Sequence, residues 1–309
     1  MPYLGRSAAV TLLLFTAYVG SASAETLEVG PNAKFTKPSE AIAAAKDGDV
    51  INIASGEYFD CAMVNQNVLT IQGSGPGTVI TDKPCGGKAL LVEHGDKIII
   101  RNLTLQRARV PDGNGAGIRY EGGNLTVDNV KFINNQDGIL GNDVPNGTVR
   151  ISNSEFLQNG VCERACSHGV YFGHMALVHI ERSRFFETKQ GHHIKSRAAR
   201  TEVIGCDISD GENGNSSYLI DISNGGSLIV RDSRMQKGPK SDNHAYAISI
   251  GAEGVEQPTR QILIEHNTFT NDLPMQTTFV RNLTATPAEL VSNVFKGKVR
   301  PIEGDGSIK

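Results

Sequence analysis

Lys195 and Arg197 stand two residues apart in Gly191-His192-His193-Ile194-Lys195-Ser196-Arg197-Ala198, the most cation-dense segment of the chain. A lysine, an arginine and two histidines could together hold an anion, take a proton and return one. Ile194 and Ser196 alternate with Lys195 and Arg197, the period of a strand with one face inward and the other outward. Other segments share this phase. The outward position after the central aliphatic is filled in turn by Arg119, Leu140, Tyr171, Lys195, Asp221, Ser249 and Arg281. Two residues further along stand Glu121, Asn142, Gly173, Arg197, Ser223 and Gly251, where Gly173 is expected to leave open space beside Arg197. If these segments stack as neighbouring strands, Tyr171 and Asp221 lie about 10 Å apart with Lys195 between them. His168 and His192 share a phase on adjacent units, followed by Tyr218 and Tyr246, while His174 closes its strand and His244 precedes its own. The candidate catalytic group is therefore Lys195, Arg197, Tyr171, His192, His193, His168 and Asp221, with Arg119, His174, Asn224 and His244 as candidate substrate-binding residues.

The elements that must position these residues are repeats. A second set of segments aligns as Asn102-Leu103-Thr104-Leu105, Asn129-Val130-Lys131-Phe132, Asn153-Ser154-Glu155-Phe156 and Arg182-Ser183-Arg184-Phe185. It continues through Ile208, Met235, Phe269 and Phe295 in the same large apolar slot. The steps are unequal, as expected where turns carry insertions and strands keep phase. One such unit cannot bury its own apolar face, so successive units must stack into a solenoid. Asn102, Asn129 and Asn153 fall at the turn, where asparagine tolerates tight geometry and could stack its amide from unit to unit. Ser154, Ser183, Cys206 and Ser233 share a small inward slot, which makes Cys206 a packed free thiol. Pro38 to Lys46 reads as a short helix stopped by Asp47-Gly48 and preceded by a strand at Thr26–Val29.

The stretch Ser39 to Ile51, followed by Ser55-Gly56-Glu57-Tyr58, resembles the opening cap of pectin-lyase-like proteins. The resemblance implies an all-β fold: a right-handed parallel β-helix of about nine to ten coils with a short N-terminal capping helix, spanning 25–309 as one domain.

Bulk properties bound the partners. Thirty Lys and Arg against 33 Asp and Glu in 309 residues give a net charge of −3 with no polybasic run, which argues against nucleic acid and anionic membranes. Residues 1–24 read as a cleavable signal peptide: Arg6, an apolar run from Ala8 to Val19, and Ala22-Ser23-Ala24 before the cut. A secreted or periplasmic monomer with no membrane span after cleavage is expected. In that setting the five cysteines favour disulfides, Cys61–Cys85 between adjacent coils and Cys162–Cys166 across a short loop. Cys162, Cys166 and His168 as a zinc site is the alternative.

Three activities fit an ionisable row on a β-helix wall. The first is β-elimination, or the related epimerisation, on an acidic polysaccharide. Arg197, with Arg119 or a calcium ion, would neutralise a uronate carboxylate; Lys195, His192 or His193 would be the base, and Tyr171 or His168 the acid. Asp221 beside Lys195 favours the lysine's charged form, and if it prevails a histidine is the better base. Ile194-Lys195-Ser196 is similar to the Lys-Ser strand of the chondroitinase B and alginate lyase family, in which the lysine is the proposed base. That family's Arg-His-Gly in the next coil is replaced here by Asp221-Ile222-Ser223. The second activity is polygalacturonase-type hydrolysis using Asp221 with Asp207 or Asp210. The third is polysaccharide binding without turnover. Asp210-Gly211-Glu212-Asn213-Gly214-Asn215 is an ordinary Gly/Asn turn or a set of calcium ligands. The plainest account of the row is a solvated face whose Lys195–Asp221 pair is worth under about 1 kcal/mol.

Overall fold

Ten short strands, from Ala62–Val64 to Val299–Glu303, lie side by side in chain order, and every neighbouring pair is parallel. A computed structural model describes residues 1–3, 24–163 and 165–309. The expected leader therefore lies, apart from residues 1–3 and 24, outside the described residues. Most coils add one strand to this wall and two to a second, twenty-stranded sheet bent along its length, the two being continuous in Lys97–Gln106 and Asn124–Ile133. The bend is made at one residue per coil: Asn102, Asn129, Asn153, Arg182, Gly205, Asp232, His266 and Ser292 all have φ between 45° and 61°. Left-handed backbone of this kind costs least for Gly, Asn and Asp, which fill five of the eight positions. The expected amide stack forms once, as Asn129 Nδ2 donates to Asn102 Oδ1 at 2.9 Å; Asn153 turns instead to Asp128.

The interior is continuous from Val29 to Leu290. Phe132, Phe156 and Phe185 stack there with ring centroids 4.5 Å apart, because residues one coil apart repeat at the strand spacing. In the small inward slot, Ser154 and Ser183 accept from the backbone N–H of the preceding coil, as Ser233 does from Cys206. Cys206 is buried and unpaired, its thiol facing the carbonyls of Ile204 and Ile180. Cys61–Cys85 and Cys162–Cys166 are disulfides, the latter closing an antiparallel hairpin, so the zinc alternative loses its thiolates.

The helix runs over Pro38–Ala44, shorter than expected. Asp49 ends it by accepting the Lys46 and Glu25 N–H groups on its two oxygens. Its buried Ala41 and Ile42 join the N-terminal end of the core. Among the described residues no helix is long and apolar enough to cross a membrane.

Candidate functional site on the outer wall

Strand register places Tyr171, Lys195, Asp221, Ser249 and Arg281 on successive rungs, with Leu140 and Arg119 before Tyr171, in the order that the alternation predicts. Ile194, Ser196, Ile220 and Ile222 on the same strands point into the core, so Lys195 and Asp221 project onto one surface. Lys195 Nζ lies 3.5 Å from Asp221 Oδ2 and 5.5 Å from the centre of the Tyr171 ring. Arg197 Nε donates to the Tyr171 hydroxyl oxygen at 2.9 Å, and its Nη1 donates to Asn224 Oδ1. Because the tyrosine oxygen accepts from arginine, its own hydrogen is directed elsewhere. Ser223 Oγ donates to Asp221 Oδ2 at 2.6 Å, while Asp221 Oδ1 is buried with no hydrogen-bond partner. Burial raises the Asp221 carboxyl, against the pull of Lys195 and Ser223.

Unsatisfied polar atoms concentrate here. Of eight buried side-chain atoms without a hydrogen bond among the described residues, four belong to this single column: Asp221 Oδ1, Ser249 Oγ, and the Nε atoms of Arg119 and Arg281, which face Glu121 at 3.4 Å and Glu303 at 3.7 Å as ion pairs. Buried polar groups are normally hydrogen-bonded, so Asp221 Oδ1 and Ser249 Oγ, on adjacent rungs, stand out as exceptions. A groove of about 490 Å³ opens between Arg119 and Tyr171, lined also by Asn142 and Asp143. Arg119 Nη2 donates to Asn142 Oδ1 at 2.6 Å.

The histidines form a rail along the edge of this row. His168 stacks on His192 and His192 on Tyr218, each with centroids 4.9 Å apart. His168 Nδ1 accepts the backbone N–H of His192 at 2.9 Å, and His192 Nδ1 accepts that of Tyr218 at 3.0 Å. Both rings are neutral: burial, with Lys195 and Arg197 nearby, pushes His168 down to about 3, and burial beside His168 and Lys195 holds His192 well below its ordinary range. A neutral ring whose Nδ1 accepts carries its proton on Nε2. His192 Nε2 lies 3.6 Å from Asp221 Oδ2, placed as a donor rather than as a base.

Several expectations need correction. His193 does not join this surface. It is fully buried inside the coil, with Nδ1 2.7 Å from Thr188 Oγ1 and Nε2 3.0 Å from Asp210 Oδ1. Asp210 is equally buried and accepts from Ser241 Oγ and from the Gly238 and Ser216 N–H groups, so it is neither a calcium ligand nor an acid partner for Asp221. Asp207 lies in the other sheet, which removes the hydrolase pairing. Gly173 lines the groove beside Tyr171, but the place of a Cβ there is occupied: it would stand 2.3 Å from Asp143 Oδ1, which accepts the His174 N–H at 2.7 Å. His174 faces Asp143 on one ring nitrogen and Glu256 on the other, each at 3.2 Å. His244 is exposed before the Tyr246 strand, outside the group around Lys195.

Sequence reasoning missed Glu253. It sits in the turn after Tyr246–Ile250 and reaches back over the row, with Oε1 2.5 Å from Lys195 Nζ and Oε2 2.5 Å from Arg197 Nη2. The signal available was the longest step in the repeat, from Met235 to Phe269, with two acidic residues in Gly251-Ala252-Glu253-Gly254-Val255-Glu256. Among the described residues no three His, Cys, Asp or Glu side chains are grouped to hold a metal ion. Asp221 and Glu253, the acids nearest the row's centre, are both engaged by Lys195, a set unsuited to a calcium ion.

No protein-family model matches the chain, and no curated protein matches it by sequence. Among solved structures, it is similar to an alginate lyase from Paenibacillus sp. str. FPU-7, with 16% identity and a TM-score of 0.59 over 90% of this chain and 99% of that one. It is also similar to pectate lyase Pel9A, with 13% identity and a TM-score of 0.59 over 92% and 80%. The chain shares their fold, a right-handed parallel β-helix. At these identities the likeness establishes the fold and leaves the chemistry to the residues.

Proposed function

We propose that this chain is an enzyme acting on an acidic polysaccharide by β-elimination at a uronate residue, with epimerisation sharing its first step. The observation that carries the reading is the convergence of Tyr171, Lys195, Arg197 and Asp221 from three successive coils onto one surface. Arg197 is pre-set by Tyr171 and Asn224 and would hold the sugar carboxylate, making the neighbouring C5–H more acidic. The two buried histidines are neutral donors, which leaves Lys195 as the base. Asp221 takes a proton as Lys195 becomes the free amine, and Lys195 then removes the C5 proton. The C–H electron pair becomes the new double bond as the C4–O bond breaks, and the Tyr171 hydroxyl, its hydrogen unclaimed by Arg197, protonates the leaving oxygen. In epimerisation a proton returns to C5 from the opposite face instead.

Arg197 supplies the positive charge that the carboxylate needs, so activity is expected to survive exhaustive EDTA treatment; loss on chelation, with recovery on adding calcium, would contradict this. An exported setting, secreted or periplasmic, accords with the two disulfides. The test is incubation with alginate, pectate and glycosaminoglycans while following ultraviolet absorbance of the unsaturated uronate end. Rising absorbance supports elimination. Reducing ends without it would indicate hydrolysis, and affinity without turnover would make the chain a binding protein.

A further inference from the structure

Glu253 occupies the place that the foregoing reading gives to the substrate. Its two oxygens are split between the two cations, one on Lys195 and one on Arg197, as a bound carboxylate's would be. Arg197 does not depend on it for position, since Nε and Nη1 are held by Tyr171 and Asn224; Glu253 covers only the remaining Nη2. Nor is it locked in. Its side chain is 42% exposed, and it lies between Gly251 and Gly254, which have φ of 80° and 101° and bracket a solvent-facing turn. The turn's backbone is tied down, with Glu253 N–H donating to Ser223 O and Glu256 N–H to Asn224 O, both at 2.9 Å. Release therefore requires a rotamer swing of one side chain rather than a loop opening. With the side chain swung out, Lys195 keeps the buried Asp221 at 3.5 Å and Arg197 keeps only the more distant Asp143, so Arg197 Nη2 is left open to another carboxylate.

We propose that Glu253 is an intramolecular stand-in for a sugar carboxylate, a plug that only an anionic saccharide displaces. It thereby selects for carboxylated sugars and sets the concentration at which they bind. The proposal rests on the reading of the row as a polysaccharide site. Its physical content is competition: affinity is reduced by the fraction of molecules in which the plug is in place. A neutral sugar gains nothing from displacing it, because it leaves Arg197 without its bonded carboxylate.

The test compares wild type with Glu253→Gln and Glu256→Gln, all checked for unchanged thermal unfolding. Binding of oligogalacturonate, oligomannuronate and a neutral cello-oligosaccharide is measured by calorimetry, alongside turnover. Glu253→Gln is expected to tighten uronate binding at least about tenfold and to leave the neutral sugar unbound. Glu256→Gln, which frees the second contact of this turn at His174, should give a smaller gain of the same sign. Weaker binding or lost turnover in Glu253→Gln would overturn the plug and make Glu253 a working member of the site. Equal affinity in the two proteins, or no binding by either, would overturn it as well. The two readings fail separately: tighter binding in the variant with no turnover in any protein upholds the plug and sinks the enzyme, while turnover lost on substitution does the reverse.

Discussion

Two sets of His, Asp and Lys lie back to back across one strand of this solenoid. The outer set is His192, Asp221 and Lys195; the inner is His193, Asp210 and Lys237. The inner one is closed. His193 and Asp210 bond to each other and to Thr188, Ser241 and backbone amides, and Lys237 donates to the carbonyls of Ser216 and Ser217. None of its three residues has measurable exposure. The outer set has a partnerless carboxylate oxygen, a half-exposed occupant on its lysine, and an arginine beside it. Residue type is the same in both, so it does not distinguish a site from a strut. Satisfaction and access do.

Substitutions should separate the two sets. Asp210→Ala leaves His193 and Lys237 buried without their acid and is expected to cost about 3–5 kcal/mol, read from urea unfolding. Asp221→Ala removes a group that is itself incompletely satisfied and should cost under about 1 kcal/mol. Comparable losses in both would erase the distinction. In activity the order reverses: Lys195→Met should lower turnover by about 10²–10⁴ with little change in unfolding.

Glu93 sharpens the same contrast from within the interior. Both its oxygens are buried with no side-chain partner, and burial, opposed only by the Gly95 backbone N–H, raises its carboxyl from an ordinary 4.5 to about 8. Between those values the folded chain holds a proton that the unfolded chain has lost. Stability from this group is thus complete below the lower value and declines as pH rises through the upper one, by up to about 1.4 kcal/mol per pH unit. Glu93→Gln should remove that decline and raise stability at pH 8 by on the order of a few kcal/mol. Urea midpoints measured across this range would show it; parallel profiles for the two proteins would refute it. The smallest effect is expected at Cys206, whose slot holds serine in neighbouring coils: Cys206→Ser should shift stability by less than about 1 kcal/mol.

Much of the fold was legible because strand period and coil stacking are local rules repeated many times. They placed Tyr171, Lys195 and Asp221 on one column, His168 on His192, and Cys206 in a serine slot. They failed where the chain leaves the strand. His193 precedes the Ile194–Ser196 strand at a corner, where alternation no longer fixes direction, and it turns inward. Asp143 fills the space at Gly173 from a loop one coil away. Glu253 reaches Lys195 across 58 residues of sequence through an insertion whose path no periodicity describes.

The most direct measurement is the ultraviolet absorbance of an alginate, pectate or glycosaminoglycan digest made with wild type and with the Lys195→Met and Arg197→Met variants. The account predicts a rise with wild type on at least one polymer and its loss in both variants. A wild-type rise that survives both substitutions would contradict it.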